Sequence, residues 1–167
     1  MRPRPRGFSL IEAVLASAIV AVLASAALTA AGKAASSRRT ANDGALGSQL
    51  AHDLARWIAT LPYEDTNGVP TFGVDPDDLA MGDDVDDFDG IGQSPPVDDT
   101  GEALASAEWS RTVTVSYVNP GNPTLTVGYD TGLKRIDVIV KRGGTVRGKA
   151  SVLRSRAWDS FTGRGAP

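Results

Sequence analysis

A short run of aspartates is the part of the sequence best suited to binding a ligand through oxygen atoms. The acidic segment, residues 83–89, contains five of them: Asp83, Asp84, Asp86, Asp87 and Asp89. Carboxylates this close repel one another unless water or a cation neutralises them, and Ca²⁺ takes roughly six to eight oxygen ligands. The spacing is not that of an EF-hand. If Gly90 is aligned with the invariant glycine of that loop, Val85 occupies the first ligand position. A solvated loop, a Ca²⁺ site and docking against a basic neighbour remain as alternatives.

The remaining residues offer no arrangement for catalysis. His52 is the only histidine and the chain has no cysteine, which excludes a histidine pair, a thiolate metal site and a disulfide framework. We interpret His52, next to Asp53, as a solvated surface residue. No glycine-rich phosphate loop follows a predicted strand, and no serine lies in a nucleophile motif. The sequence therefore predicts a protein that is not an enzyme, with Ca²⁺ as the one candidate cofactor.

Charge is distributed unevenly along the chain. Residues 64–102 carry 13 acidic and no basic side chains, whereas residues 103–167 carry 10 basic and 4 acidic ones. The basic side chains of the strand region are Lys134, Arg135, Lys141, Arg142, Arg147, Lys149, Arg154 and Arg156. We interpret them as solvated strand faces and protected sheet edges. The alternative is a patch that binds the acidic loop of a neighbouring subunit, residues 75–89. No nucleic-acid partner is expected, because the acidic region would oppose it.

A single carboxylate, Glu12, lies near the start of a long apolar run, Gly7 to Ala31. From Ala13 to Ala31 there is no ionisable side chain, and these residues form a helix of ~28 Å, close to the roughly 30 Å of a bilayer core. A charge on such a helix is costly, so it is by default a functional residue that needs a partner.

Two ordinary interpretations of the amino terminus leave Glu12 unexplained. The run after Arg2, Arg4 and Arg6 would be a secretory signal cut near Ala24-Ser25-Ala26, or an uncleaved anchor. The protein would then be a single-pass or secreted binding module for calcium or a carbohydrate. For an anchor, the positive flank predicts a cytoplasmic amino terminus and a carboxyl-terminal domain outside.

The stretch Gly7-Phe8-Ser9-Leu10-Ile11-Glu12 closely resembles the class III signal of type IV prepilins. The resemblance implies that prepilin peptidase/methyltransferase cuts between Gly7 and Phe8 and methylates the new amino group of Phe8. It also implies a minor pilin or type II secretion pseudopilin, held in the inner membrane and then assembled with other subunits by a membrane platform. Glu12 matches the family's glutamate. Four residues span ~6 Å of helix, so staggered helices would bring this carboxylate to the Phe8 ammonium of a neighbour.

Small residues recur every four positions along the same apolar run. They are Ala13, Ser17, Ala21 and Ser25. Small side chains let helix backbones approach closely in lipid. The sequence therefore predicts that this stripe packs against neighbouring helices.

The chain divides by pattern into a leader, a long helix, an acidic loop region, a sheet and a tail. The leader is residues 1–7. The helix has a transmembrane half, residues 8–31, and an amphipathic half, residues 32–61. The acidic loop region is residues 62–108, the sheet residues 109–159 and the tail residues 160–167. The amphipathic stripe is Leu46, Leu50, Leu54, Trp57 or Ile58, and Leu61. Pro62 ends the helix, and Gly32, Gly44 and Gly47 predict bending or fraying over residues 32–47.

Alternating apolar and polar residues predict four short strands near the carboxyl terminus. They cover residues 109–117, 124–129, 134–141 and 145–156, with turns at Asn119–Pro123, Asp130–Gly132 and Gly143-Gly144. Such a sheet needs a cover for one face, and the amphipathic stripe can provide it. We predict an α+β, pilin-like fold with a long amino-terminal helix packed on a small antiparallel sheet.

Overall fold

The computed structural model describes residues 9–65, 72–73, 82–98 and 100–162. The chain separates into two compact units, Met1–Asn42 and Asp43–Pro167, called here the amino-terminal unit and the globular unit. The predicted cleavage and methylation positions, Gly7 and Phe8, lie outside the described residues.

Helix α1, Leu10–Ile58, is the longest element and contributes to both units. Alanine and leucine favour a helix, and no proline interrupts it. The predicted weakening over residues 32–47 does not end the helix, which runs unbroken through Gly32, Gly44 and Gly47.

The described part of the amino-terminal unit is helical from Leu10 and exposed along its whole length. Its large apolar side chains include Val14, Leu15, Ile19 and Leu23, all more than half exposed. Among the described residues, α1 is the one helix long and apolar enough to cross a membrane, by length and composition. An apolar surface without cover requires lipid or other protein chains around it.

The globular unit is built on an antiparallel sheet of five strands, so the predicted α+β pilin-like layout is confirmed. The strands are β1 (Gly92–Gln93), β2 (Trp109–Asn119), β3 (Asn122–Thr126), β4 (Leu133–Arg142) and β5 (Thr145–Ser155). Their order is β1-β2-β4-β5, and β3 also pairs with β2. A 3-10 turn, Asp86–Phe88, precedes the sheet, and helix α2, Ala157–Thr162, follows it.

One face of the sheet carries the apolar side chains that the alternation predicts. On β2, Val113 and Val115 are buried, and they stand opposite Val138 and Ile136 on β4. Each buried aliphatic side chain of this kind contributes about 1.5–3 kcal/mol to folding. The register between β2 and β4 therefore fixes one apolar face for the core.

The carboxyl-terminal part of α1 covers that face. Its buried residues are Gly47, Leu50, Ala51, Leu54, Ala55 and Ile58, and all but the glycine belong to one hydrophobic cluster with β2 and β4. The predicted stripe is thus correct at Leu50, Leu54 and Ile58. It is wrong at Leu46, which is 36% exposed. Of the alternatives Trp57 and Ile58, Ile58 is the buried one, and Leu61 is partly buried against the same cluster.

Glycine at two positions lets α1 and β5 approach closely. A Cβ atom built on Gly148 would lie 2.1 Å from the carbonyl carbon of Gly47 and 2.4 Å from the backbone nitrogen of Ser48. No side chain fits between backbones at this distance. Gly47, predicted to weaken the helix, is instead the residue that allows this contact.

Several element boundaries differ from the prediction. Helix α1 ends at Ile58 rather than Leu61. After Ile58 the N–H groups of Thr60 and Leu61 donate to the carbonyl oxygens of Trp57 and Ile58, in the tighter three-residue pattern common at helix ends. Strand β3 begins at Asn122, inside the predicted turn, and β1 lies in the region predicted as a loop. Strand β5 ends at Ser155 and is followed by α2. Leu153 of β5 is 46% exposed and faces away from the core.

Candidate functional site

Glu12 lies in the first turn of α1 and is exposed. Its backbone N–H and that of Ala13 donate to the carbonyl oxygen of Ser9, at 3.0 and 3.2 Å. A carboxylate near a helix amino terminus interacts favourably with the unpaired N–H groups there. The carboxylate is therefore presented at the end of the apolar helix, where a cation on another chain can reach it.

The small-residue stripe carries hydroxyl groups that are already satisfied within the helix. Ser17 Oγ donates to the carbonyl oxygen of Ala13 at 2.8 Å, and Ser25 Oγ donates to that of Val22 at 2.8 Å. A hydroxyl bonded to its own helix can enter an apolar environment at low cost. All four members of the stripe, Ala13, Ser17, Ala21 and Ser25, are exposed, and their packing against neighbouring helices stays a prediction.

A second polar arrangement surrounds Lys134, which is completely buried in the globular unit. Its ammonium group forms an ion pair with Asp86, whose side chain is 3% exposed, and donates to the carbonyl oxygen of Tyr63. The ammonium nitrogen also lies 4.3 Å from the centre of the Tyr63 ring. These contacts fasten the acidic segment to β4.

The aspartates of the acidic segment are held largely by backbone N–H groups. Asp84 Oδ1 accepts from the N–H groups of Asp86 and Asp87, at 2.8 and 3.2 Å. Asp89 Oδ1 accepts from Val115 on β2 at 2.9 Å. Burial, together with the charge of Asp86, raises the pKa of Asp84 to about 7. The acidic segment is therefore folded and held against the sheet. The alternative of a solvated loop is wrong at Asp84, Asp86 and Asp87, which are buried.

The contacts of the acidic segment leave the predicted calcium site as a prediction. Within residues 9–65, 72–73, 82–98 and 100–162, no three acidic, histidine or cysteine side chains are grouped to hold a metal ion. Asp83, Asp84, Asp86, Asp87 and Asp89 as calcium ligands stay a prediction.

Two of the basic strand residues are buried, contrary to their interpretation as solvated. Lys134 and Arg154 are 0% and 3% exposed, whereas Arg135 and Arg142 pair with carboxylates at the surface. Lys134 shares the period of two with Ile136, Val138 and Val140, so the alternation itself indicates an inward side chain. The partner of Lys134 is Asp86 of the same chain, not the acidic loop of a neighbouring subunit.

Arg154 anchors the carboxyl-terminal helix. It pairs with Asp159 of α2 and donates from Nε and Nη2 to the carbonyl oxygen of Leu61, at 3.0 and 2.9 Å. Asp159 Oδ2 accepts in turn from the backbone N–H of Tyr63 at 2.9 Å. The pair thus joins β5, α2 and the chain that leaves α1.

Replacing Asp159 with asparagine is expected to destabilise the globular unit by about 2 kcal/mol. The amide keeps an acceptor for Tyr63 but leaves the buried Arg154 without its counter-charge, which is costly. Chemical denaturation of the full chain in detergent measures the change. The matched control is Asp137→Asn, which removes the partly exposed pair with Arg135 and should cost less than about 1 kcal/mol. Equal losses for both variants would contradict a special role for the buried pair.

The comparison with known proteins identifies the amino terminus. Residues 2–28 match the family model described as the prokaryotic N-terminal methylation motif. No curated protein and no solved structure matches the chain. The long apolar helix and the antiparallel sheet together have a pilin-like layout. The chain therefore carries the class III signal of type IV prepilins.

This motif defines a class of structural proteins. It implies processing by prepilin peptidase and assembly with other pilins. Together with helix α1, it supports anchoring in a membrane. The residues that carry this signal, Gly7, Phe8 and Glu12, were accessible from the sequence, whereas the buried ion pairs of the globular unit were not.

Proposed function

We propose that this protein is a minor pilin or a pseudopilin, a structural subunit of a type IV pilus or a type II secretion-like filament. The observation that carries the proposal is the methylation motif, residues 2–28, which overlaps the start of helix α1, where the helix is apolar and exposed. Such a helix is stable in a bilayer and in a bundle of like helices, so one segment can serve both as anchor and as filament core. Its work would be assembly, not catalysis.

The proposed processing creates the charge that Glu12 needs. Cleavage between Gly7 and Phe8 leaves an α-ammonium group at Phe8, and N-methylation keeps its positive charge. In a low-dielectric environment an isolated carboxylate is strongly unfavourable, and a paired one much less so. Pairing of Glu12 with Phe8 of a neighbouring subunit would therefore fix the stagger between adjacent helices.

The proposal also assigns a location and an order of events. The basic residues before the helix keep the amino terminus in the cytoplasm, and the globular unit lies outside. The subunit would be inserted once in the cytoplasmic membrane, processed by prepilin peptidase/methyltransferase, and then transferred into the filament by the inner-membrane assembly platform.

The mass of the mature amino terminus tests this function. In cells that contain prepilin peptidase, we expect the first residue to be Phe8 carrying one methyl group, read by tandem mass spectrometry. A Gly7→Leu variant should retain Met1, because it removes the glycine after which the peptidase of this family cuts. A terminus near Ala27, or an intact Met1 in the wild-type protein, would instead support an ordinary signal or anchor.

A further inference from the structure

The contact between Lys134 and Asp86 has the arrangement of a reacting pair. The two side chains touch, and both are shielded from solvent, with 1% and 3% of their surfaces exposed. The rings of Tyr63, Tyr117 and Phe72 lie 4.3, 5.7 and 5.9 Å from the lysine nitrogen. The amine and the carboxyl group are therefore in contact in surroundings from which water is largely excluded.

We propose that Lys134 and Asp86 form an intramolecular isopeptide bond, which links β4 covalently to the acidic segment. The neutral amine of Lys134 would attack Cγ of Asp86. A bond forms between Nζ and Cγ, the bond between Cγ and Oδ1 breaks, and one water molecule leaves. An amine and a carboxylic acid thus become an amide and water, with no oxidant or reductant and no change in net charge.

The other oxygen of Asp86 is held in a position suited to this reaction. Oδ2 accepts a hydrogen bond from the backbone N–H of Gly73 at 3.3 Å. A fixed N–H group stabilises the negative charge that develops on this oxygen during attack. In the product, Oδ2 is the amide oxygen and can keep the same hydrogen bond. Oδ1, which faces Lys134, is the oxygen that departs.

Asp84 is placed to carry the protons. It lines the same cavity of about 200 Å³ as Lys134 and Asp86, and its carboxyl group accepts a hydrogen bond from the backbone N–H of Asp86. It would give a proton to the departing hydroxyl group and accept one from the lysine nitrogen. The cavity also gives the released water a place to go.

The fold lowers the barrier to a reaction that free amines and acids undergo only slowly in water. Holding two reactants together in one orientation is worth an effective concentration of about 10⁵–10⁸ M. The product also replaces two buried charges with one neutral amide, whose oxygen can accept a hydrogen bond from the backbone N–H of Gly73. The link would resist force and proteolysis in a globular unit without disulfides.

A tryptic digest of the full chain, extracted in detergent, tests the bond. Trypsin releases residues 57–111 and 112–134 as separate peptides from a linear chain. With the bond, cleavage after Lys134 is blocked, and residues 57–111 remain joined to residues 112–135. We expect the joined species to predominate, one water lighter than the sum of its two peptides, with fragment ions that place the link at Lys134 and Asp86. Recovery of the two linear peptides alone would overturn the proposal.

Two variants give the assignment of roles. Lys134→Arg keeps a cation beside Asp86 but cannot form this amide, so its digest should contain only linear peptides; a joined species there would overturn the assignment to Lys134. Asp84→Asn keeps the shape and the backbone hydrogen bonds and should show at least a tenfold loss of the joined species. Full joining in Asp84→Asn would overturn the proton-transfer role of Asp84. Because the wild-type digest decides the bond by itself, misfolding of a variant does not remove the test.

Discussion

Replacing Gly148 with valine is expected to destabilise the globular unit by about 3 kcal/mol or more. The first added carbon would lie 2.1 Å from a backbone carbon of Gly47 and 2.2 Å from its carbonyl oxygen. Backbone atoms cannot rotate away as a side chain can, so α1 and β5 must separate. Separation opens a gap under Leu50 and Ala51, which lose their packing. Thermal unfolding followed by circular dichroism should show a midpoint lowered by roughly 10 °C or more.

A matched substitution at Gly92 separates the close contact from a general effect of valine in the sheet. Gly92 also lies in a strand, but the nearest atom to an added Cβ is Thr112 Cγ2 at 4.0 Å. Gly92→Val is therefore expected to change stability by less than about 0.5 kcal/mol. An unchanged midpoint for Gly148→Val would mean that α1 and β5 do not approach each other as closely as described.

Replacing Glu12 with glutamine is expected to lower incorporation into filaments at least tenfold while leaving processing intact. Glutamine has the same shape but cannot neutralise the Phe8 ammonium of a neighbour. A loss of only about 1.4 kcal/mol per contact already corresponds to a factor of ten, and an unpaired charge in apolar surroundings costs more. The ratio of subunit in the sheared filament fraction to subunit in the membrane fraction measures the effect.

The control for Glu12 is Ser17→Ala, which lies on the same helix, changes no charge and keeps a small side chain at this position of the packing stripe. Ser17 bonds only to its own helix, so its loss should leave the filament fraction within about twofold of the wild type, since such changes are worth little. The amino-terminal mass of each variant verifies that processing occurred. Normal incorporation of processed Glu12→Gln would show that the proposed pairing is wrong.

The two buried ion pairs of the globular unit show what a pattern in the sequence leaves open. A charged residue on an alternating strand is ordinarily solvated, and the sequence favours a solvated side chain for both Lys134 and Arg154. Their burial depends on Asp86 and Asp159, which lie 48 residues before Lys134 and 5 residues after Arg154. Only after β4, β5, α2 and the acidic segment assemble does each cation find its counter-charge.

The sequence alone was sufficient for the features that depend on neighbouring residues. The methylation motif, the apolar helix from Leu10 and the alternation of β2 and β4 are local patterns, because a peptidase reads a linear segment and a helix or strand repeats with a fixed period. The tertiary structure decided which glycines touch and which aspartates are buried. Gly47 meets Gly148, and Asp86 meets Lys134, through contacts between distant parts of the chain. At such places a residue stabilises or destabilises the fold according to its partner, and a local sequence pattern does not contain that partner.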